Sequence, residues 1–87
     1  KGLDTAFLFQ ASISFKRNYL FEEAIDIAER IKIRDPYNVK NLVHLADMYT
    51  YTGKLERAEK IMRKVYELEP DNENARKVES VLIAKLK

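Results

Sequence analysis

The chain has no cysteine and no tryptophan, and only two glycines and two prolines in 87 residues. Without cysteine there are no disulfides and no thiolate metal sites, although this alone leaves the compartment open. Scarce glycine and proline argue against an all-β chain, which would need many tight turns. No apolar run approaches 18 residues, so nothing in the sequence reads as a membrane-spanning helix. Charge of one sign is not in excess either. Sixteen Lys and Arg nearly balance 14 Asp and Glu, for a net charge of +2. What is present is 46% apolar and 34% charged residues, the balance expected of amphipathic helices with solvated outer faces. The length allows one small domain near the lower limit for a self-sufficient core. The chain opens Lys1-Gly2 without Met. That reads as a fragment of a longer protein, so a targeting signal would lie outside it; the compartment stays open, with a soluble, cytoplasmic setting slightly favoured.

Apolar spacing supplies the secondary structure. Leu20, Ala24, Ile27, Ala28 and Ile31 form a helical stripe, with Glu22, Glu23, Asp26, Glu29 and Arg30 opposite. Leu55, Ala58, Ile61, Met62 and Val65 form another, with Glu56–Lys60 and Glu59–Arg63 four apart on its outer face, a spacing worth ~0.2–0.5 kcal/mol per pair. Between them Leu42, Leu45, Ala46 and Tyr49 share one face. Asn38 and Asn72 stand at N-cap places, and Pro36 and Pro70 each follow a helix they cannot continue. Gly53 suits the left-handed residue of a sharp helix-to-helix turn. The pattern predicts five helices, over residues 3–17, 20–34, 39–52, 55–68 and 73–86.

Pro36 and Pro70 are 34 residues apart, as are Asn38 and Asn72. At that offset Leu8 falls on Leu42, Ala11 on Leu45, Ser12 on Ala46 and Phe15 on Tyr49. Ala24 falls on Ala58, Ile27 on Ile61, Ala28 on Met62 and Ile31 on Val65. Small residues meet small ones at Ser12/Ala46 and Ala24/Ala58, aromatics meet at Phe15/Tyr49, and a proline closes both units. Only six of the 34 aligned pairs are identical, so spacing and residue type carry the repeat.

This pattern resembles the tetratricopeptide repeat, a helix–turn–helix unit that stacks into a solenoid. The resemblance implies an all-α fold of five helices in a right-handed superhelix. Its units would be residues 5–38 and 39–72, followed by a capping helix over 73–87, at the C-terminal end of a longer array. The small residues expected where helices touch are Ser12, Ala24, Ala46 and Ala58, and the aromatics near the end of each first helix are Phe15 and Tyr49. The family's turn glycine is present as Gly53 but replaced by Tyr19, so Asn18 is the expected left-handed residue in the first turn. Continuing the register puts polar Arg76 and Glu79 where a further second helix would pack, which fits a cap. Val78, Val81, Leu82 and Leu86 would pack back onto the second unit. At the other end Leu3, Phe7, Leu8, Phe9, Ile13 and Phe15 make the first helix apolar nearly all round. Such a helix calls for cover on more than one side, from trimmed upstream repeats or from another chain.

The resemblance further implies a concave groove, lined by the first helix of each unit, that holds a peptide or partner segment. The family register places there Ala6, Phe9, Ile13, Lys16 and Arg17, then Lys40, Val43, Asp47, Thr50 and Tyr51, then Asn74, Lys77, Val81, Ala84 and Lys85. Five of these are basic (Lys16, Arg17, Lys40, Lys77, Lys85) and Asp47 is the single acid, with the convex helices carrying most of the other acids. The expected partner is therefore acidic, with apolar or aromatic anchors. For any one of these lysines, an ordinary solvated side chain is the blander explanation. Family members that grip the carboxyl-terminal tails of heat-shock chaperones use a cationic clamp. The matching positions here are Phe9, Ile13, His44, Asn74 and Val78, which form no such clamp.

Two other roles fit the sequence less well. The first is self-association through Phe7, Phe9 and Ile13, giving a homo-oligomer. The second, ranked below it, is RNA binding, with Tyr37 and Tyr51 as stacking residues. Related repeats that read RNA use 35-residue units in long arrays, whereas this chain has two units and a net charge of only +2. A nucleic-acid partner is not expected. An enzyme is not expected either: there is one His, no Cys and no phosphate loop, and His44 with Asp47 supplies too few ligands for a metal. A surface or groove position is the expectation for His44, and no cofactor is called for.

Overall fold

The computed structural model describes residues 4–87 and contains five helices: α1 Thr5–Arg17, α2 Phe21–Arg34, α3 Val39–Tyr51, α4 Leu55–Leu68 and α5 Glu73–Leu86. No strand occurs among the described residues, and no helix among them is long and apolar enough to cross a membrane. The helices begin and end within two residues of the sequence expectation; Leu3, expected in the first helix, lies outside the described residues. Helix α1 pairs with α2 and α3 with α4, while α3 also packs on α2, and α5 on α3 and α4. That is a helix–turn–helix repeat stacked along one direction.

Local chemistry explains the boundaries. The side chain of Asn38 accepts from the Asn41 amide at 3.1 Å, and that of Asn72 from the Ala75 amide at 2.8 Å. Each satisfies one of the free amides at a helix start. Ahead of the prolines, the last helical bonds run from Asp35 to Ile31 and from Glu69 to Val65, both at 2.7 Å.

The two turns inside the units close with the same bonds. Leu20 donates to the Phe15 carbonyl and Tyr19 to that of Lys16; Lys54 donates to Tyr49 and Gly53 to Thr50. Such a closure needs one left-handed residue. In the second turn it is Gly53, at φ 82°, as expected. In the first it is Tyr19 itself, at φ 62°, and not Asn18, whose φ is −94°. Asn18 instead sends its side-chain amide to the Ser14 carbonyl at 2.9 Å. The ring of Tyr19 lies exposed, edge-on to Phe21 with centroids 6.2 Å apart. That contact helps offset a backbone strain of about 1–2 kcal/mol.

Small residues set how closely the helices approach. Ala24, Ala28, Ala46, Ala58 and Ala75 are fully buried and, with Leu42, Leu45, Met48, Met62, Val65 and Leu82 among others, form one core cluster. Adding methylenes at such alanines would push helices apart at about 1–3 kcal/mol each. Five expectations need correction. Leu20, Val81 and Leu86 are exposed rather than packed: Leu20 precedes α2 as its N-cap, Val81 faces the clefts along α1, α3 and α5, and Leu86 is the last residue of α5. The surface pairs Glu56–Lys60 and Glu59–Arg63 do not close, whereas Asp26–Arg30 does at 3.1 Å.

Candidate functional site

Helices α1, α3 and α5 lie side by side, and two clefts open along them. One, of about 610 Å³, is bordered by Lys40, Val43, Lys77 and Val78, with Glu69 and Asn72 at its edge. The other, of about 620 Å³, is bordered by Ile13, Arg17, Tyr19, Phe21 and Tyr51. Lys16, Asp47 and Val81 border both and form the ridge between them.

The ridge continues into a polar seam between α1 and α3. Lys16 Nζ meets Asp47 Oδ2 at 2.6 Å. One turn away, Ser12 Oγ donates to the Ala24 carbonyl at 2.7 Å and lies 2.8 Å from His44 Nε2. A hydroxyl has one proton, and here it goes to Ala24. The His44 contact therefore requires Nε2–H as the donor. His44 is only 6% exposed, with the ring of Phe9 edge-on at 5.2 Å. Burial first, and then the Lys16 ammonium, push its pKa down from 6.5 to about 4, while Asp47 pulls the other way. The imidazole is neutral at pH 7. His44 is thus no freely solvated surface histidine: it borders the cleft, but one nitrogen is committed to Ser12. Asp47 is likewise committed to Lys16, so the two do not act as a pair.

Of the residues expected in the groove, Ile13, Lys16, Arg17, Lys40, Val43, Asp47, Tyr51, Asn74, Lys77 and Val81 border one cleft or both. Phe9 borders neither, because its ring is spent on His44. Thr50 does not face the groove: it is 1% exposed, and its hydroxyl returns to the Ala46 carbonyl at 2.8 Å. Ala6, Ala84 and Lys85 are exposed but border neither cleft.

The charge balance also changes. Glu69 brings a second acid, held by the side-chain amide of Asn72 at 2.9 Å, and Lys16 is neutralised by Asp47. Of the cations bordering the clefts, Lys40, Lys77 and Arg17 form no ion pair among the described residues, so the positive surplus is smaller than a helical register suggests. Glu69, Asn72, Tyr19 and Phe21 sit at or next to turns, where helical spacing does not apply. The signal that finds them is their position beside Pro70 and in the place of the missing turn glycine.

The set Phe7, Phe9 and Ile13 does not form one patch. Phe9 and Ile13 are four residues apart and share a face, whereas Phe7 is about 200° around the helix from Phe9. Phe7 is 60% exposed. Its counterparts at the 34-residue offset, Asn41 and Ala75, are fully buried on the faces that α3 and α5 turn to the preceding helices. Phe7 therefore marks the open end of the stack.

No family model matches the chain. It is 37% identical over 78 residues to sperm-associated antigen 1 of Mus musculus. That stretch is 90% of this chain and 8% of the mouse protein, so the chain spans a small part of the curated relative to which it is similar.

Proposed function

We propose that the chain is a tetratricopeptide-type, non-catalytic interaction module that holds an acidic peptide segment with an aromatic or apolar anchor along α1, α3 and α5. The observation that carries this reading is the pair of adjoining clefts, one edged by the unpaired cations Lys40 and Lys77 and the other by the rings of Tyr19, Phe21 and Tyr51. A cation without an internal partner attracts an incoming carboxylate at a distance, and an aromatic pocket supplies the anchoring contact. The 34-residue repeat supports the family reading. Its one His is bonded to Ser12, which supports a binding role over catalysis. The test uses a labelled peptide with a phenylalanine flanked by glutamates. Lys40→Glu with Lys77→Glu should weaken its binding and flatten its salt dependence while leaving stability nearly unchanged. Equal affinity in the parent and double variant sinks the proposal.

A second reading, self-association, is favoured by Phe7 alone. A large ring 60% exposed at the open end of a stack is a site for another helix. Light scattering over a wide concentration range should then show a dimer that Phe7→Glu abolishes; a parent chain that stays monomeric excludes it.

A further inference from the structure

The Lys16–Asp47 pair has no counterpart in the next seam. Moved by 34 residues, its places hold Thr50 and Val81, which cannot pair, and α3 still packs on α5. Nor is the pair buried out of reach: the two side chains are 34% and 37% exposed. It stands on the ridge common to both clefts, so whatever lies along the groove passes over it. The other charged groups bordering the clefts are Lys40, Lys77 and Glu69 on one side and Arg17 on the other, and none forms an ion pair with Lys16 or Asp47.

Resting on the groove reading above, we propose that Asp47 is an internal substitute for a partner carboxylate. It holds the Lys16 ammonium until an acidic side chain of the bound segment takes its place and joins the two clefts. An ion pair this exposed is held weakly, so exchanging one carboxylate for another is nearly neutral. That has a consequence for selectivity. An acidic residue alone gains little, because it only replaces Asp47. An acidic residue next to an aromatic one also fills the pocket where the rings of Phe21 and Tyr51 lie 4.9 Å apart. Asp47 thereby makes the groove require both features, as specificity often rests on a built-in competitor as well as on attraction.

Fluorescence anisotropy with the same glutamate–phenylalanine peptide tests this. Asp47→Asn, close in shape to the parent residue, should tighten binding roughly fivefold, the scale of one exposed charge pair. The gain should vanish when Lys16→Gln is added, because the freed ammonium is its cause. Unchanged or weaker binding by the Asp47→Asn chain overturns the proposal, provided the parent binds. An equal gain with and without Lys16 also overturns it, since that would reflect net charge alone. If neither parent nor variant binds while circular dichroism shows both folded, the groove reading itself falls and this inference with it.

Discussion

Between α1 and α3 the facing residues are Ser12 and His44, then Lys16 and Asp47. Thirty-four residues on, between α3 and α5, the same places hold Ala46 and Val78, then Thr50 and Val81. One seam is polar and the other almost wholly apolar, yet both join neighbouring first helices of the stack. A similar exchange occurs behind them. The side chain of Asn41 donates to the Ala28 carbonyl at 3.0 Å, while the equivalent places hold Ala75 and Met62, large and small having changed sides. The packing specifies a shape to fill and accepts polar groups there, although only the nitrogen of the Asn41 side-chain amide finds a partner, its Oδ1 being buried without one. Ser12 supplies a partner to His44 by donating its hydroxyl hydrogen bond to the Ala24 carbonyl and accepting from the imidazole.

Moving the polar half-pair to the apolar seam should break the comparison most severely. Val78→His sets an imidazole against Ala46, which has nothing to offer it, and should cost about 3 kcal/mol in urea unfolding. Adding Ala46→Ser, whose hydroxyl can bond the Ala58 carbonyl as Ser12 bonds Ala24, should recover at least about 1 kcal/mol. An uncoupled double variant would show that the seams are not equivalent. The reverse experiment is milder. Ser12→Ala strands the His44 Nε2–H and should cost about 2 kcal/mol, most of it restored by His44→Val, which recreates the apolar seam.

A third prediction uses pH. His44 titrates near 4 in the folded chain, because burial and Lys16 disfavour its charge, against 6.5 unfolded. Between those values the unfolded chain binds the extra proton, so stability is intact above pH 6.5 and falls as the pH drops towards 4. From pH 7 to 5 the parent should lose about 1–2 kcal/mol more than the Ser12→Ala, His44→Val chain, in which the carboxylate contributions are shared and cancel. Equal slopes would mean that His44 charges freely in the fold. The smallest effects lie at the turns. Gly53→Ala should cost about 1 kcal/mol through backbone strain alone, since nothing lies within 4 Å of the added methyl. Tyr19→Gly should gain less than about 1 kcal/mol, because relief of strain is partly offset by losing the contact with Phe21.

These comparisons show why part of the molecule is legible in its sequence. Asn38, Asn72 and the prolines mark boundaries through local bonds, and Ala24, Ala46 and Ala58 repeat on a face that only small residues fit. Register places Ile13, Arg17, Lys40, Val43, Tyr51 and Lys77 along one side of the stack, where they border the clefts. What register misses are choices made between helices. It cannot tell that Thr50 turns inward to the Ala46 carbonyl or that Phe9 packs on His44. Nor can it tell that Glu69 reaches the cleft from outside any helix. Tyr19 escaped for a different reason: an aromatic residue is a poor choice for positive φ, and only the matching turn bonds reveal the role it shares with Gly53.

The most direct test of the groove is backbone amide shift mapping of the labelled chain as the glutamate–phenylalanine peptide is added. Binding as proposed moves the amides of Lys16, Lys40, Asp47, Tyr51 and Lys77 together and saturably, leaving the outer faces of α2 and α4 still. Shifts confined to those outer faces, or to the Phe7 end of α1, would contradict it.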